Sequence, residues 1–116
     1  MKILITISGD NVAPRFDMVS ELFIAGCNAQ GLTGKPRTIL MAGPSPEELC
    51  SLILKEDINI VICGGIEERH YKYLAWKKVE VFDSVIGPFQ EVLELAMQKR
   101  LRAGTILLSA RNVRSS

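Results

Sequence analysis

The run Ile58-Asn59-Ile60-Val61-Ile62-Cys63-Gly64-Gly65 constrains this chain more than any other stretch. Its branched apolar residues show little polar alternation, the pattern of a strand covered on both faces and therefore of a parallel sheet flanked by helices. Cys63 ends the run, and Gly64-Gly65 frees the backbone for a turn that a ligand or another strand can approach closely. Open α/β sheets place ligands where a buried strand enters such a turn. The plain alternative is a tight strand-to-helix turn.

The neighbours of this run follow from their own periodicities. Lys2 to Ser8 reads as a first strand, with Ile3, Ile5 and Ile7 on one face and Leu4 and Thr6 on the other, and it belongs beside the central run. Gly9, Asp10, Asn11 and Pro14 mark a loop that leads into Arg15-Phe16-Asp17. Glu21 to Asn28 is a second strand pattern, Gly31 and Gly34 bracket a short turn, and Pro36 to Ala42 is a third strand. These three form an antiparallel meander.

Ser45-Pro46-Glu47-Glu48 is a helix start, with Ser45 as cap, Pro46 in the first position and Glu48 completing a capping box. The helix runs from Pro46 to about Glu56, its Leu49, Leu52 and Ile53 sharing a face with Cys50 beside them. After the central strand, Glu67 to about Lys77 is helical and Lys78 to Phe82 is a short strand. A longer helix from Pro88 to about Arg102 carries the stripe Phe89, Val92, Leu93, Ala96 and Met97, and Gly104 is its expected stop. Thr105 to Ser109 is strand-like, and residues 111 to 116 are expected to fray.

A right-handed helical crossover from the third strand delivers the fourth parallel to the first. The predicted fold is thus α/β, a ribonuclease-H-like motif with a five-stranded mixed sheet in the order 3-2-1-4-5 and three helices. Residues 1 to 104 are expected to form one domain and 105 to 116 a C-terminal extension. A crevice is expected at the carboxyl ends of the first and fourth strands. Ser8 and Asp10 would reach it from the first strand, Cys63, Gly64 and Gly65 from the fourth, and Ser84 from the fifth.

With 47% hydrophobic and 23% charged residues, the 116-residue chain is globular and large enough for a core without staples. No apolar run reaches the roughly 18 residues needed to span a bilayer, and the start lacks the features of a signal peptide, so a soluble, cytoplasmic protein is expected. Cys27, Cys50 and Cys63 contain no C-x-x-C pair and make neither a disulfide framework nor a zinc site at recognisable spacing. The net charge of +1 hides an asymmetry: residues 1 to 98 hold 9 Lys/Arg against 13 Asp/Glu, and five basic residues follow without an acid. That basic end reads as a solvated face, with attraction of an anion as the alternative.

The start Met1-Lys2-Ile3-Leu4-Ile5, the segment Val12-Ala13-Pro14-Arg15-Phe16-Asp17, the turn Cys63-Gly64-Gly65-Ile66, and Leu74 to Val79 with Asp83-Ser84-Val85-Ile86-Gly87 jointly resemble the dinitrogenase iron-molybdenum cofactor biosynthesis (NifX-like) family over roughly residues 1 to 100. The resemblance implies the same fold and a non-enzymatic role in carrying or inserting an iron-sulfur or iron-molybdenum cluster precursor. Its implied partners are a cofactor-assembly protein or an apo-metalloenzyme. One departure stands out, since many relatives carry His-Phe-Gly where this chain has Arg15-Phe16-Asp17.

Among individual residues, Cys63 is the candidate metal ligand, because thiolate is the usual ligand of iron-sulfur clusters, and a small core residue is its alternative. Arg15 could grip an anion with its guanidinium fork or pair locally with Asp17 or Asp10. Cofactor contacts are thus expected from Ser8, Asp10, Arg15, Cys63, Gly64, Gly65 and Ser84. A nuclease is not expected, since only Asp10 and Asp83 are placed to converge. His70 reads as a packed helix residue, and Tyr73 and Trp76 as rings that close off the core, with a stacking surface as the alternative. No catalytic set, P-loop or dinucleotide fingerprint is readable. The competing reading is a metal-free module for a nucleotide or small anion; a homodimer is left open, and neither a membrane nor nucleic acid is expected as a partner.

Overall fold

Alternation along β1 (Lys2–Ser8) sorts its side chains between two cores, as the sequence predicts. In the computed structural model, which describes residues 1–107, Leu4 enters one apolar cluster and Ile3, Ile5 and Ile7 enter the other. Each cluster fills one side of a mixed sheet. Leu49, Cys50 and Ile53 of α1 (Pro46–Lys55) and Leu74 of α2 (Glu68–Trp76) cover the Leu4 side. Phe89, Val92 and Leu93 of α3 (Phe89–Met97) cover the other.

The sheet has seven strands where five were expected. Besides β1 these are β2 (Asn11–Val12), β3 (Glu21–Asn28), β4 (Gly31–Leu32), β5 (Arg37–Leu40), β6 (Ile60–Ile62) and β7 (Glu80–Phe82). The five longer ones pair as β5-β3-β1-β6-β7, antiparallel up to β1 and parallel beyond it. The additional two are short hairpin returns, β2 folding back on β1 and β4 on β3. Each spans two residues, too few for a periodicity to register. Gly9 makes the first return feasible, with φ +62° in the two-residue turn.

Capping at α1 follows expectation in part: the Ser45 hydroxyl accepts from the Glu48 amide at 3.2 Å, with Pro46 first in the helix. The stop of α3 differs. It ends at Met97, and Lys99 takes the left-handed conformation (φ 59°) expected of Gly104. Closing the helix there turns Leu101 inward, where it is buried in the α3-side core. Past that point Ile106 bridges Ile86 in parallel, so the expected terminal strand is a single rung among the described residues. Positions 108 and 109 of that strand, and the fraying expected at 111 to 116, lie outside the described residues. No helix among the described residues is long and apolar enough to cross a membrane.

Candidate functional site

Three strands deliver their carboxyl ends to one place, and the chain itself occupies it. After the β1–β2 hairpin, Ala13 to Phe16 crosses over the turn that follows β6. The Gly65 amide donates to the Pro14 carbonyl and the Phe16 amide to the Gly65 carbonyl, both at 2.8 Å. A Cβ at Gly64 would run into the carbonyl oxygens of Ala13 and Pro14, so this glycine is required by backbone packing. From the other side the Ser84 amide donates to the Gly64 carbonyl at 2.8 Å, and the Val85 amide to the Cys63 carbonyl at 3.1 Å.

Cys63 is therefore sealed. It has no exposed surface and belongs to the core cluster of Leu4, Ala13, Phe16 and Val61. Burial, reinforced by the Asp83 carboxylate, pushes its thiol up to about 12, so the neutral form holds at neutral pH. One rung beyond the Ile5–Ile62 pair, the parallel register sets Thr6 opposite Cys63, on the face that carries Leu4 and Val61. The Thr6 hydroxyl is completely buried and has no hydrogen-bond partner among the described residues. Thr6 is the one polar residue in the Ile3–Ile7 run, and in sequence that break in an otherwise apolar strand is the signal that marks it.

The remaining predicted residues are divided among three places. Gly64, Gly65 and Ser84 stay with Cys63 through the hydrogen bonds above. Ser8 and Arg15 share a shallow depression of about 280 Å³ on the β3 side of β1. Asp10 turns toward α3, its carbonyl accepting from the Phe89 amide at 3.0 Å. Arg15 takes the local alternative: its Nε and a terminal nitrogen reach the two Asp17 oxygens at 3.0 and 2.6 Å. An exposed pair of this kind contributes only roughly 0.2–1 kcal/mol.

His70 is packed, as the sequence predicts, with its ring centroid 5.9 Å from that of Phe16. Its Nε2 lies 3.7 Å from a Glu67 oxygen, beyond hydrogen-bond length, and has no partner among the described residues. Trp76 does not close the core: it is 71% exposed and Tyr73 40%. Leu74 takes the inward position on α2 instead, with no exposed surface, and the ring-bearing side of the helix is left outside. No group of three His, Cys, Asp or Glu side chains among the described residues converges as a metal site.

No family model matches the sequence. No curated protein matches it either. Solved structures share the fold. The crystal structure of PH0822 superposes with a TM-score of 0.80 at 18% identity, over 89% of this chain and 94% of that one. A protein from Methanocaldococcus jannaschii, provisionally named a dinitrogenase, gives 0.70 at 24% identity over 87% and 91%. A Thermotoga protein of the DUF35 family, provisionally named a NifB protein, gives 0.67 at 15% identity over 94% and 97%. At such identities the likeness is one of fold.

Proposed function

We propose that this chain is a non-enzymatic accessory protein of nitrogenase-related cofactor assembly, receiving an iron-sulfur or iron-molybdenum type cluster as cargo and passing it to an assembly protein or an apo-metalloenzyme. The observation that carries this reading is the fold shared, nearly end to end, with two chains that bear nitrogenase-related names. The ribonuclease-H-like assignment of that fold rests on the β5-β3-β1-β6-β7 order of the longer strands.

The residues do not fit a resident cluster. One sealed neutral thiol is too few and too protonated, and the other cysteines are buried elsewhere, Cys50 on α1 and Cys27 on β3. For cargo to reach Cys63, Ala13 to Phe16 would have to leave Gly64-Gly65. That breaks two backbone hydrogen bonds worth about 1 kcal/mol each and exposes Phe16, at about 2 kcal/mol. A sum of roughly 4 kcal/mol keeps the open form near one molecule in a thousand. The neutral thiol favours the second reading, a metal-free small-anion module, but the Gly65 amide that would serve an anion already donates to Pro14.

Anaerobic incubation with iron and sulfide, followed by desalting, separates the readings. Visible cluster absorbance is expected to remain with the parent protein and to fall in Cys63→Ala. Equal absorbance in both would remove Cys63 as a ligand. Absorbance no higher than in a variant lacking all three cysteines would overturn the cargo reading.

A further inference from the structure

The aromatic pair on α2 is unused by the proposed function and stands outside the core. Arg69, Lys72, Tyr73 and Trp76 fall at helical spacing on one side of α2, and all four are exposed. His70 and Leu74 take the buried side. The Tyr73 and Trp76 ring centroids lie 6.3 Å apart with their planes tilted by 51°. The Lys77 ammonium sits 4.6 Å from the Trp76 centroid and 5.8 Å from that of Tyr73. With that cation in place, Trp76 still leaves most of its surface to solvent.

Charge separates this patch from an ordinary apolar contact surface. Lys77 and Lys78 form no ion pair among the described residues, whereas Arg69 and Lys72 hold Glu67 and Glu68 loosely at 3.5 and 3.6 Å. Cations thus flank the two rings at both ends of the helix. The core of a protein interface is depleted of charged side chains, Lys among them, whereas here a lysine stands directly against both rings. Flat rings beside unpaired cations match a polymer of flat bases joined by phosphates, since stacking accepts any base and ammonium groups hold the backbone. From Arg69 to Trp76 the helix rises about 10 Å at 1.5 Å per residue, with Lys77 and Lys78 just past its end, room for about two nucleotides.

We infer that the Tyr73–Trp76–Lys77 face of α2 is a docking site for a short single-stranded nucleic acid, two bases stacking on the rings and their phosphates meeting Lys77 and Lys78. The site is separate from the Cys63 region, so it stands or falls independently of the cluster-cargo reading. In the sequence a stacking surface at Tyr73 and Trp76 is only the alternative reading, and the exposure of both rings favours it.

Trp76 is the single tryptophan of the chain, which makes its fluorescence a direct reporter. Titration with oligothymidylate is expected to quench it saturably. By anisotropy of a labelled oligonucleotide, Trp76→Ala and the double variant Lys77→Ala/Lys78→Ala should each bind about tenfold more weakly. The double variant should also lower the salt slope by about 0.7 for each phosphate it no longer neutralises. All three positions are exposed, and far-UV circular dichroism checks that the variants fold. Absence of saturable quenching overturns the inference. So does equal quenching by polyglutamate, which would make the face an acidic-peptide surface, or equal affinity for a mononucleotide, which would leave the strand no role.

Discussion

The two ends of the sheet are built from the same strands and differ in what fills them. At the carboxyl ends of β1 and β6, the chain crosses back over its own turn and leaves Cys63 without exposed surface. At the amino ends, a cavity of about 790 Å³ opens beneath the last turn of α3, with Ile60, Phe82, Met97 and Leu101 among its walls and Glu80 and Lys99 at its edge. Topology marks the first end as the place for a ligand. A switch point supplies diverging connections and no guarantee of space, and here one connection is short enough to fold into the gap. At the other end α3 stops at Met97, and the space beneath its final turn stays unfilled.

Adding a carbon at each end tests that contrast. Gly64→Ala places a methyl against two backbone carbonyls that cannot swing aside as a side chain can, and should destabilise by about 3 kcal/mol in chemical denaturation. A loss under about 0.5 kcal/mol would mean that Ala13 to Phe16 is loosely held and that the two ends are alike. Alkaline pH gives the next effect. The Cys63 thiol stands at about 12 in the fold against an ordinary 9.0. The unfolded chain therefore loses this proton first, so the stabilisation is complete below about pH 9 and is lost as pH rises toward 12. The slope is at most about 1.4 kcal/mol per pH unit. Cys50, raised mainly by burial and also by Glu47, adds in the same direction. Denaturation midpoints of the parent and Cys63→Ala between pH 8 and 11 should diverge least at high pH; parallel curves would show that Cys63 is open to solvent. The smallest effect is expected at the amino end, where Ala96→Leu extends into the cavity and should change stability by under about 0.5 kcal/mol. A large loss there would show that this end is as tightly packed as the other.

Much of the fold was legible in the chain. The bounds of β1 and β3 and the capped start of α1 follow from alternation and from Ser45-Pro46, signals contained within a few residues. The end of α3 was not, because Lys99 adopts the left-handed conformation so that Leu101 can reach the core, and a glycine-based stop cannot anticipate a distant packing demand. Trp76 misled for a related reason. Helical periodicity marks several faces of α2 as apolar enough to bury, and contact with the sheet selects the one bearing Leu74.

The candidate site was legible as a location and not as a state. Local apolar pattern and the handedness of crossovers are enough to bury the Ile58–Gly65 run, to set it beside the first strand, and to bring the Cys63–Gly65 turn to the ends of three strands. Only the folded chain shows that Ala13 to Phe16 covers that turn, that Gly64 is a glycine for the sake of a neighbouring backbone, and that the Cys63 thiol is neutral. Those facts depend on segments about fifty residues apart meeting at van der Waals distance, and no periodicity within either segment encodes the meeting.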